Sequence, residues 1–114
     1  MPVFQWAVIQ ANLNPTIGTE QKGIRPVLII SNEDFNQTVS NVTVLPLTST
    51  RRRLYPSEAF LPGGKAGQPL DSIIMAHQIR TISKQKLAGL LGYLEDIEFQ
   101  TAVSTAIKDH LELD

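Results

Sequence analysis

Polar side chains suited to phosphate chemistry stand at the ends of two apolar segments of this 114-residue chain. Arg25 precedes the run that starts with Pro26 and Val27, and Thr48 ends the segment VTVLPLT. A guanidinium offers a planar fork of donors that matches a phosphate, and its permanent charge stabilises negative charge that develops on phosphoryl oxygens. If the two segments pair as strands, Arg25 and Thr48 would lie on one rim. The spacing alone does not establish that pairing.

Plain structural roles stay open for these residues. Arg25 could reach solvent from the end of a strand or pair with Glu20, and Thr48 could simply be a β-forming residue. Glu20 and Asp71 are too isolated in the sequence to predict a pair of catalytic carboxylates.

A run of three arginines at 51–53 is the strongest local charge in the chain. It could be a solvated loop, or it could contact phosphates with Tyr55 nearby to stack on a base. Gln78 and Arg80 end a later apolar segment, where an amide could hydrogen-bond a base edge and a guanidinium could hold a phosphate. They could equally be polar residues on the solvent face of a strand.

Composition excludes several classes of site. The chain has no cysteine, which excludes disulfides and thiolate metal sites, and its two histidines are far apart. Neither a phosphate-binding P-loop nor a G-x-S-x-G nucleophile motif is present. The net charge of −1 provides no overall basic field, so affinity for nucleic acid would depend on a local patch.

Short β-forming segments separated by turn residues make up most of the chain. The stretch 12–23, with one proline and two glycines, predicts a long binding loop. Helical turns are expected around 33–36 and, capped by Ser83, at KQKL. The segment 89–94 fits either a helix or a strand. Strands are predicted at Phe4–Ala11, Pro26–Ile30, Val42–Thr48, Ser57–Leu61 and Ser72–Gln78, with an extension to Ile82 left open.

The C-terminal segment predicts an amphipathic helix that Asp96 caps and that runs to about Leu113. Its apolar residues recur at spacings of three and four and form one stripe: Phe99, Val103, Ala106, Ile107 and Leu111. The element order predicts a mainly β protein of the α+β class, a small bent sheet or barrel with a helix at one side, with residues 1–114 as a single domain. Neither a signal peptide nor a membrane span is expected, which favours a cytoplasmic protein.

Several segments together resemble the MazF/PemK-like toxin family. The segment GTEQKGIRPVLIIS at 18–31 carries Gly-x-Glu-Gln followed by Gly-x-Arg-Pro-Val, and Asn14-Pro15 precedes it. The Pro-Leu-Thr that ends at Thr48, the segment HQIRTISKQKL at 77–87 and the final helix agree in the same order. The resemblance covers nearly the whole chain.

The resemblance implies a compact SH3-like β-barrel with a C-terminal helix, assembled as a homodimer. It implies the toxin of a type II toxin–antitoxin pair: a ribosome-independent endoribonuclease that cuts single-stranded RNA at short sequences without a metal or another cofactor. The expected partners are single-stranded RNA and a cognate antitoxin, with operator DNA as a further partner of the toxin–antitoxin complex.

The resemblance also implies roles for individual residues. The catalytic arginine falls on Arg25 and the catalytic threonine on Thr48. The Glu-Gln of the mobile loop falls on Glu20 and Gln21, and the RNA-contacting glutamine falls on Gln78. We further expect RNA contacts from Thr50, Arg51 and Arg80.

One segment departs from the family pattern. Family members commonly carry Gly-Asp near the start of the first strand, where this chain has Gln5, Trp6 and Ala7. The change concerns the wall of the groove or the dimer contact. Two other functions stay open from the sequence: a non-catalytic toxin that binds gyrase, and a regulatory module that binds antitoxin and operator DNA.

Overall fold

The structure, a computed structural model, describes residues 3–113. Within that range the chain forms seven strands and two α-helices. The strands are β1 (Ala7–Asn12), β2 (Ile24–Ile29), β3 (Asn41–Thr48), β4 (Glu58–Leu61), β5 (Ser72–Met75), β6 (Arg80–Ser83) and β7 (Leu87–Tyr93). The helices are α1 (Glu33–Thr38) and α2 (Ile97–Leu111), and 3₁₀ helices cover Ala76–Gln78 and Lys84–Lys86.

The strands form one antiparallel sheet in the order β4-β5-β3-β2-β1-β7, and β6 also pairs with β3. β3 joins the parts of the sheet, because its first half pairs with β6 and its last two residues pair with β5. The mainly β class with a C-terminal helix is confirmed. Within residues 3–113 no pairing joins β4 to β7, so the sheet is open and the word barrel describes it only loosely.

Both faces of the central strands are buried. One face carries Leu28 and Leu45, which belong to the cluster that contains Val103 and Ala106 of α2. The opposite face carries Val27 and other residues of a second cluster, which comprises Ala7, Ile9, Ala11, Leu13, Val27, Ile29, Val42, Val44 and Ile82. The unbroken apolar run of β2 is therefore explained by burial on both faces, as the sequence predicted.

The first strand begins later than the sequence predicted, at Ala7 instead of Phe4. Trp6 has a φ of 68°, in the left-handed region, which interrupts an extended strand. The backbone N–H groups of Phe4 and Gln5 instead donate to the Glu33 carboxylate, at 2.8 to 3.1 Å. These donors are thus satisfied without a strand partner.

The predicted strand 72–78 is also divided. β5 ends at Met75, the 3₁₀ helix Ala76–Gln78 follows, and β6 starts at Arg80 as a separate strand on β3. The apolar run hides this break because a buried 3₁₀ turn and a buried strand use the same residue types. The ambiguous segment 89–94 lies mostly in β7, since pairing with β1 fixes it as a strand.

α2 begins after Asp96, as predicted, and it ends at Leu111. Asp96 holds the N-cap position, but the predicted side-chain capping bond is absent, and its carboxylate instead accepts from Lys65 Nζ at 2.9 Å. Glu112 takes a left-handed conformation (φ 55°) that terminates the helix. Neither α-helix in the described part of the chain is long and apolar enough to cross a membrane.

Two glycines allow the loop between β4 and β5 to lie directly on β7. A Cβ at Gly67 would lie 2.0 Å from the Leu91 carbonyl oxygen, and a Cβ at Gly92 would lie 2.7 Å from the Ala66 carbonyl carbon. All atoms in these close approaches are backbone, so they cannot move aside as a flexible side chain would. This backbone contact connects the β4–β5 side of the sheet to the β7 edge where no strand pairing does.

We expect Gly92→Ala to lower the free energy of unfolding by about 1–3 kcal/mol, the usual cost of inserting a methyl group into a packed site. Gly89→Ala is the matched control on the same strand, because nothing lies within 4 Å of its added Cβ. Urea denaturation measures both variants. Equal stability of the two proteins would contradict the proposed contact.

Candidate active site

The register between β2 and β3 brings Arg25 and Thr48 together. The pairs Val27 with Pro46 and Leu28 with Leu45 define the register, and its continuation places Arg25 opposite Thr48. Opposed residues of an antiparallel pair point to the same face of the sheet. Both side chains line one cleft of about 90 Å³, whose lining residues are Arg25, Pro26, Leu47, Thr48, Ser49, Gln68 and Ser72.

Local hydrogen bonds fix both side chains. Arg25 Nε donates to the Lys22 carbonyl oxygen at 3.0 Å, which ties the guanidinium to the end of the preceding loop. Thr48 is 8% exposed, and its hydroxyl lies 3.0 Å from the Thr50 hydroxyl. The same Thr48 oxygen accepts from the Thr50 N–H at 3.2 Å. Thr50 therefore orients Thr48, so the two threonines belong to one small group.

The loop 13–23 leads into Arg25 and is closed at its base. Leu13 N–H donates to the Gly23 carbonyl at 2.9 Å, and Gly23 N–H donates to Asn14 Oδ1 at 3.1 Å. Gly23 has a φ of 79°, a conformation that favours glycine. At the tip, Glu20 Oε1 accepts from the Ile17 N–H at 2.9 Å. The loop thus has an internal structure, although its residues are mostly exposed.

The segment 78–86 contacts this loop through three side chains. Gln78 Oε1 accepts from the Gln21 N–H at 3.3 Å, and Arg80 Nη1 donates to the Leu13 carbonyl at 3.1 Å. Lys86 Nζ donates to the Asn14 carbonyl at 2.9 Å. Sequence reasoning singled out Gln78 and Arg80 but missed Lys86, whose contact depends on how β6 and its 3₁₀ turn pass the loop.

A second cleft brings together four of the residues predicted to bind RNA. Its volume is about 290 Å³, and its lining residues are Thr19, Glu20, His77, Gln78, Ile79 and Arg80. Gln21 lies beside it through the bond to Gln78, and the side-chain oxygen of Gln21 is buried without a hydrogen-bond partner. The structure therefore gathers Glu20, Gln21, Gln78 and Arg80 around one opening.

Thr50 and Arg51 line a third cleft, also of about 290 Å³, between the end of β3 and the β4–β5 hairpin. Its lining residues are Ser49, Thr50, Arg51, Arg52, Leu54, Phe60, Asp71, Ser72 and Ile73. Ser49 and Ser72 also line the Arg25–Thr48 cleft, so the two openings are neighbours.

The arginine run 51–53 is not uniformly solvated. Arg52 forms a two-bond ion pair with Glu58, at 2.8 Å for each bond, and its guanidinium carbon lies 3.9 Å from the centroid of the Tyr55 ring. Arg52 thereby covers one face of the ring that the sequence offered as a base-stacking platform. Glu58 also lies 2.7 Å from His77 Nε2 and accepts from the Tyr55 N–H at 2.8 Å.

The Glu58 side chain is fully buried, and sequence analysis gave no signal for its role. Burial alone would raise its pKa, but hydrogen bonds from Arg52, His77 and the Tyr55 backbone outweigh that effect and lower the pKa to about 2. The carboxylate fastens the 51–56 loop to β4 and to the 3₁₀ helix that carries Gln78. Glu58 thus connects His77 in the wall of the second cleft to Arg52 in the wall of the third.

We expect Glu58→Gln to lower the free energy of unfolding at pH 7 by about 3 kcal/mol, since breaking a buried pair leaves the Arg52 charge only partly compensated. The stabilisation exists above pH 4.5, the ordinary pKa of Glu, and is lost as the pH falls toward about 2. The stability difference between the two proteins should therefore shrink over that interval.

Denaturation from pH 7 to pH 3 measures this effect, with the exposed Glu95→Gln as the control. Glu33, whose pKa is also lowered to about 2, contributes equally in all three proteins. A stability difference that does not change with pH would contradict the role given to the Glu58 charge.

The departure at Gln5, Trp6 and Ala7 lies away from these clefts. Trp6 packs against the core cluster that includes α2, and its carbonyl accepts from the Leu94 N–H at 2.8 Å.

No group of three or more His, Asp or Glu residues within 3–113 is placed to hold a metal ion.

Comparisons with known proteins agree with the residue pattern. The family model of the PemK-like, MazF-like toxins of type II toxin–antitoxin systems matches residues 4–111. Endoribonuclease EndoA of Bacillus subtilis is 35% identical over 114 residues, which is 99% of this chain and 97% of that protein. Endoribonuclease MazF of Staphylococcus saprophyticus is 38% identical over 90 residues, which is 78% of this chain and 75% of that protein.

Solved structures extend the agreement to the fold. A mycobacterial endoribonuclease in complex with its cognate antitoxin superposes with a TM-score of 0.80 and 26% identity, and the match covers 100% of this chain and 98% of that one. Because the family model spans nearly the whole sequence and the Bacillus subtilis relative aligns almost end to end, this chain belongs to the PemK-like, MazF-like family of type II toxins.

Proposed function

We propose that this chain is an endoribonuclease toxin that cleaves single-stranded RNA at specific short sequences without a metal ion. The observation that carries the proposal is the cleft shared by Arg25 and Thr48, at opposed positions of β2 and β3. The family membership and the relatives named endoribonucleases favour this function over the gyrase-binding and purely regulatory alternatives. We take residues 1–114 as one toxin domain.

In the proposed reaction the RNA supplies its own nucleophile. The 2′-oxygen forms a bond to the adjacent phosphorus as the 2′-OH loses its proton to solvent, and the bond from phosphorus to the 5′-oxygen breaks. That oxygen takes up a proton, so the products are a 2′,3′-cyclic phosphate and a 5′-OH. Arg25 stabilises the charge that builds on the non-bridging oxygens, and Thr48 holds a phosphate oxygen or the 2′-OH in line.

Arg25 is assigned an electrostatic role. Arginine is a poor general acid or base, whereas the charge of a guanidinium is permanent, and the position of Arg25 is fixed by its hydrogen bond to the Lys22 carbonyl oxygen. A donor that is already oriented needs no rearrangement when the negative charge develops. The surrounding polar residues Glu20, Gln21, Thr50, Arg51, Gln78 and Arg80 are proposed to hold RNA on either side of this centre.

The proposed partners follow from the same surface. The chain is taken as a homodimer, and an acidic, largely disordered segment of a cognate antitoxin would occupy the Arg25–Thr48 cleft and exclude RNA. The mycobacterial relative is described in complex with its cognate antitoxin, which supports this class of partner. Binding of the complex to operator DNA stays a prediction.

Purified protein incubated in EDTA with a long RNA of mixed sequence should give discrete cuts with cyclic-phosphate ends. Arg25→Ala and Thr48→Ala should each lower the cleavage rate at least 100-fold, since loss of one preorganised transition-state donor typically has that effect. End-mapping by primer extension and end-group analysis provide the measurement.

Lys108→Ala and Thr105→Ala are matched controls, because they remove a cation and a hydroxyl from exposed positions of α2. Both should cleave at the wild-type rate. Cleavage by the double variant Arg25→Ala/Thr48→Ala at the wild-type rate would contradict the catalytic roles given to these two residues.

Sedimentation velocity at micromolar concentration should give a species of twice the monomer mass of 12.6 kDa. The physical reason is the set of large apolar side chains that stay exposed in one chain, such as Ile97 at 73% and Leu90 at 56%. A single monomeric species at that concentration would contradict the homodimer.

A further inference from the structure

An exposed aromatic residue lies in the same cross-strand row as the two proposed catalytic residues. Thr48 pairs with Ile73 of β5, and Ile73 pairs with Phe60 of β4. Together with the β2–β3 register, this gives the row Arg25, Thr48, Ile73 and Phe60 on one face of the sheet. Because adjacent strands lie about 4.8 Å apart, the Phe60 backbone lies about 10 Å from that of Thr48.

The alternation of β4 explains why Phe60 faces this surface. Ala59 and Leu61 point into the core cluster shared with α2, which leaves Phe60 on the opposite face, 45% exposed. Ile73 between Phe60 and Thr48 is 5% exposed and forms the floor. Phe60 is thus a large, about half-exposed aromatic side chain on a paired strand, in the same row as Arg25 and Thr48.

The cleft beside Phe60 has the composition of a site for a flat, polar-edged ligand. Phe60 and Leu54 are its large exposed apolar residues, while Ser49, Thr50 and Asp71 are its small polar ones. Asp71 Oδ1 accepts from the Gly63 N–H at 2.8 Å, which holds the carboxylate at the rim. The volume of this cleft, about 290 Å³, is at the lower end of the range for small-ligand sites.

The neighbouring aromatic ring is less available for stacking. Tyr55 has the Arg52 guanidinium over one face, and that guanidinium is itself held by the buried Glu58. Phe60 has no such cation over its ring among the described residues. Tyr55 is 50% exposed but has one face occupied, whereas Phe60, at 45% exposed, has neither face covered by a described cation.

We infer that Phe60 is a stacking platform for one unpaired base of the RNA, a nucleotide next to the cleaved bond, with the base edge directed toward Ser49, Thr50 and Asp71. The inference rests on the proposed function and deepens it, because it assigns a base-binding pocket to the surface beside Arg25 and Thr48. Unpaired bases are recognised by stacking on aromatic rings together with hydrogen bonds to their edges.

The test uses a short RNA with one mapped cleavage site and a set of single abasic substitutions on either side of it. One abasic position should lower kcat/KM of the wild-type protein roughly 5- to 100-fold, the range that corresponds to loss of one stacked base. On the intact RNA, Phe60→Leu should lower kcat/KM by the same factor. On the abasic RNA, Phe60→Leu should lower kcat/KM little further, because the base that would stack on the ring is already absent. Phe60→Tyr should retain activity on the intact RNA, because its ring stacks equally well.

Phe35→Ala, an aromatic change on α1 outside the cleft, is the matched control and should keep the full effect of the abasic site. If Phe60→Leu and each abasic substitution lowered kcat/KM independently, so that their effects multiplied at every position, the inference would be overturned. The proposed cleavage function would not be affected by that result. A change of sedimentation in Phe60→Leu would also overturn the inference, because the ring would then lie between two copies of the chain.

A second measurement does not depend on cleavage. In the Arg25→Ala protein, RNA with 2-aminopurine at the same position should show fluorescence quenching on binding, and Phe60→Leu in that background should abolish the quenching. Quenching by the Arg25→Ala protein, combined with no cleavage of the same RNA by the wild-type protein, would support the pocket and reject the proposed enzymatic function. Equal quenching with and without the Phe60 ring would reject the pocket.

Discussion

The antiparallel register between β2 and β3 is the constraint on which the rest of the site depends. It sets Arg25 opposite Thr48, and the continuation through β5 and β4 adds Ile73 and Phe60 to the same row. Side chains alternate between the two faces of a sheet, so a shift of one residue would move this whole row to the other face. The burial of β2 on both faces opposes such a shift, because either face would then lose its apolar partners.

The sheet alone does not position the loops around this row. Contacts between different segments of the chain hold those loops in place. Gln78, Arg80 and Lys86 hold the loop that leads into Arg25, and the buried Glu58 holds the arginine-rich loop through Arg52. The closely packed Gly67 and Gly92 connect the open side of the sheet to β7. Apart from the Arg52–Glu58 pair, which is six residues apart, these contacts join segments far apart in the sequence, and together they shape the three clefts.

The same row also suggests a division of labour along the proposed RNA path. The permanent charge of Arg25 and the hydroxyl of Thr48 stand where β2 begins and β3 ends, in the smallest of the three clefts described. The two larger clefts carry hydroxyls, an amide, two carboxylates and an aromatic ring, which can contact bases, together with Arg51, Arg52 and Arg80, which can hold phosphates. Chemistry at the centre and recognition at the sides would let cleavage sequences change through loop residues while the strands stay the same.

The amino-acid sequence by itself determined the elements with strong local signals: the buried strand after Pro26, the helix that begins after Asp96, and the family pattern around Arg25 and Thr48. Hydrophobic periodicity and turn residues act over a few positions, so they can be read without a partner segment. Tertiary structure alone decided that β5 stops at Met75, that the first strand begins at Ala7, and that the sheet stays open. It also decided that Arg52 turns toward Glu58, that Lys86 reaches the loop, and that Phe60 joins the row of Thr48. These outcomes depend on strand register and on side-chain contacts, most of them between segments tens of residues apart, and such contacts leave no periodic trace in the sequence.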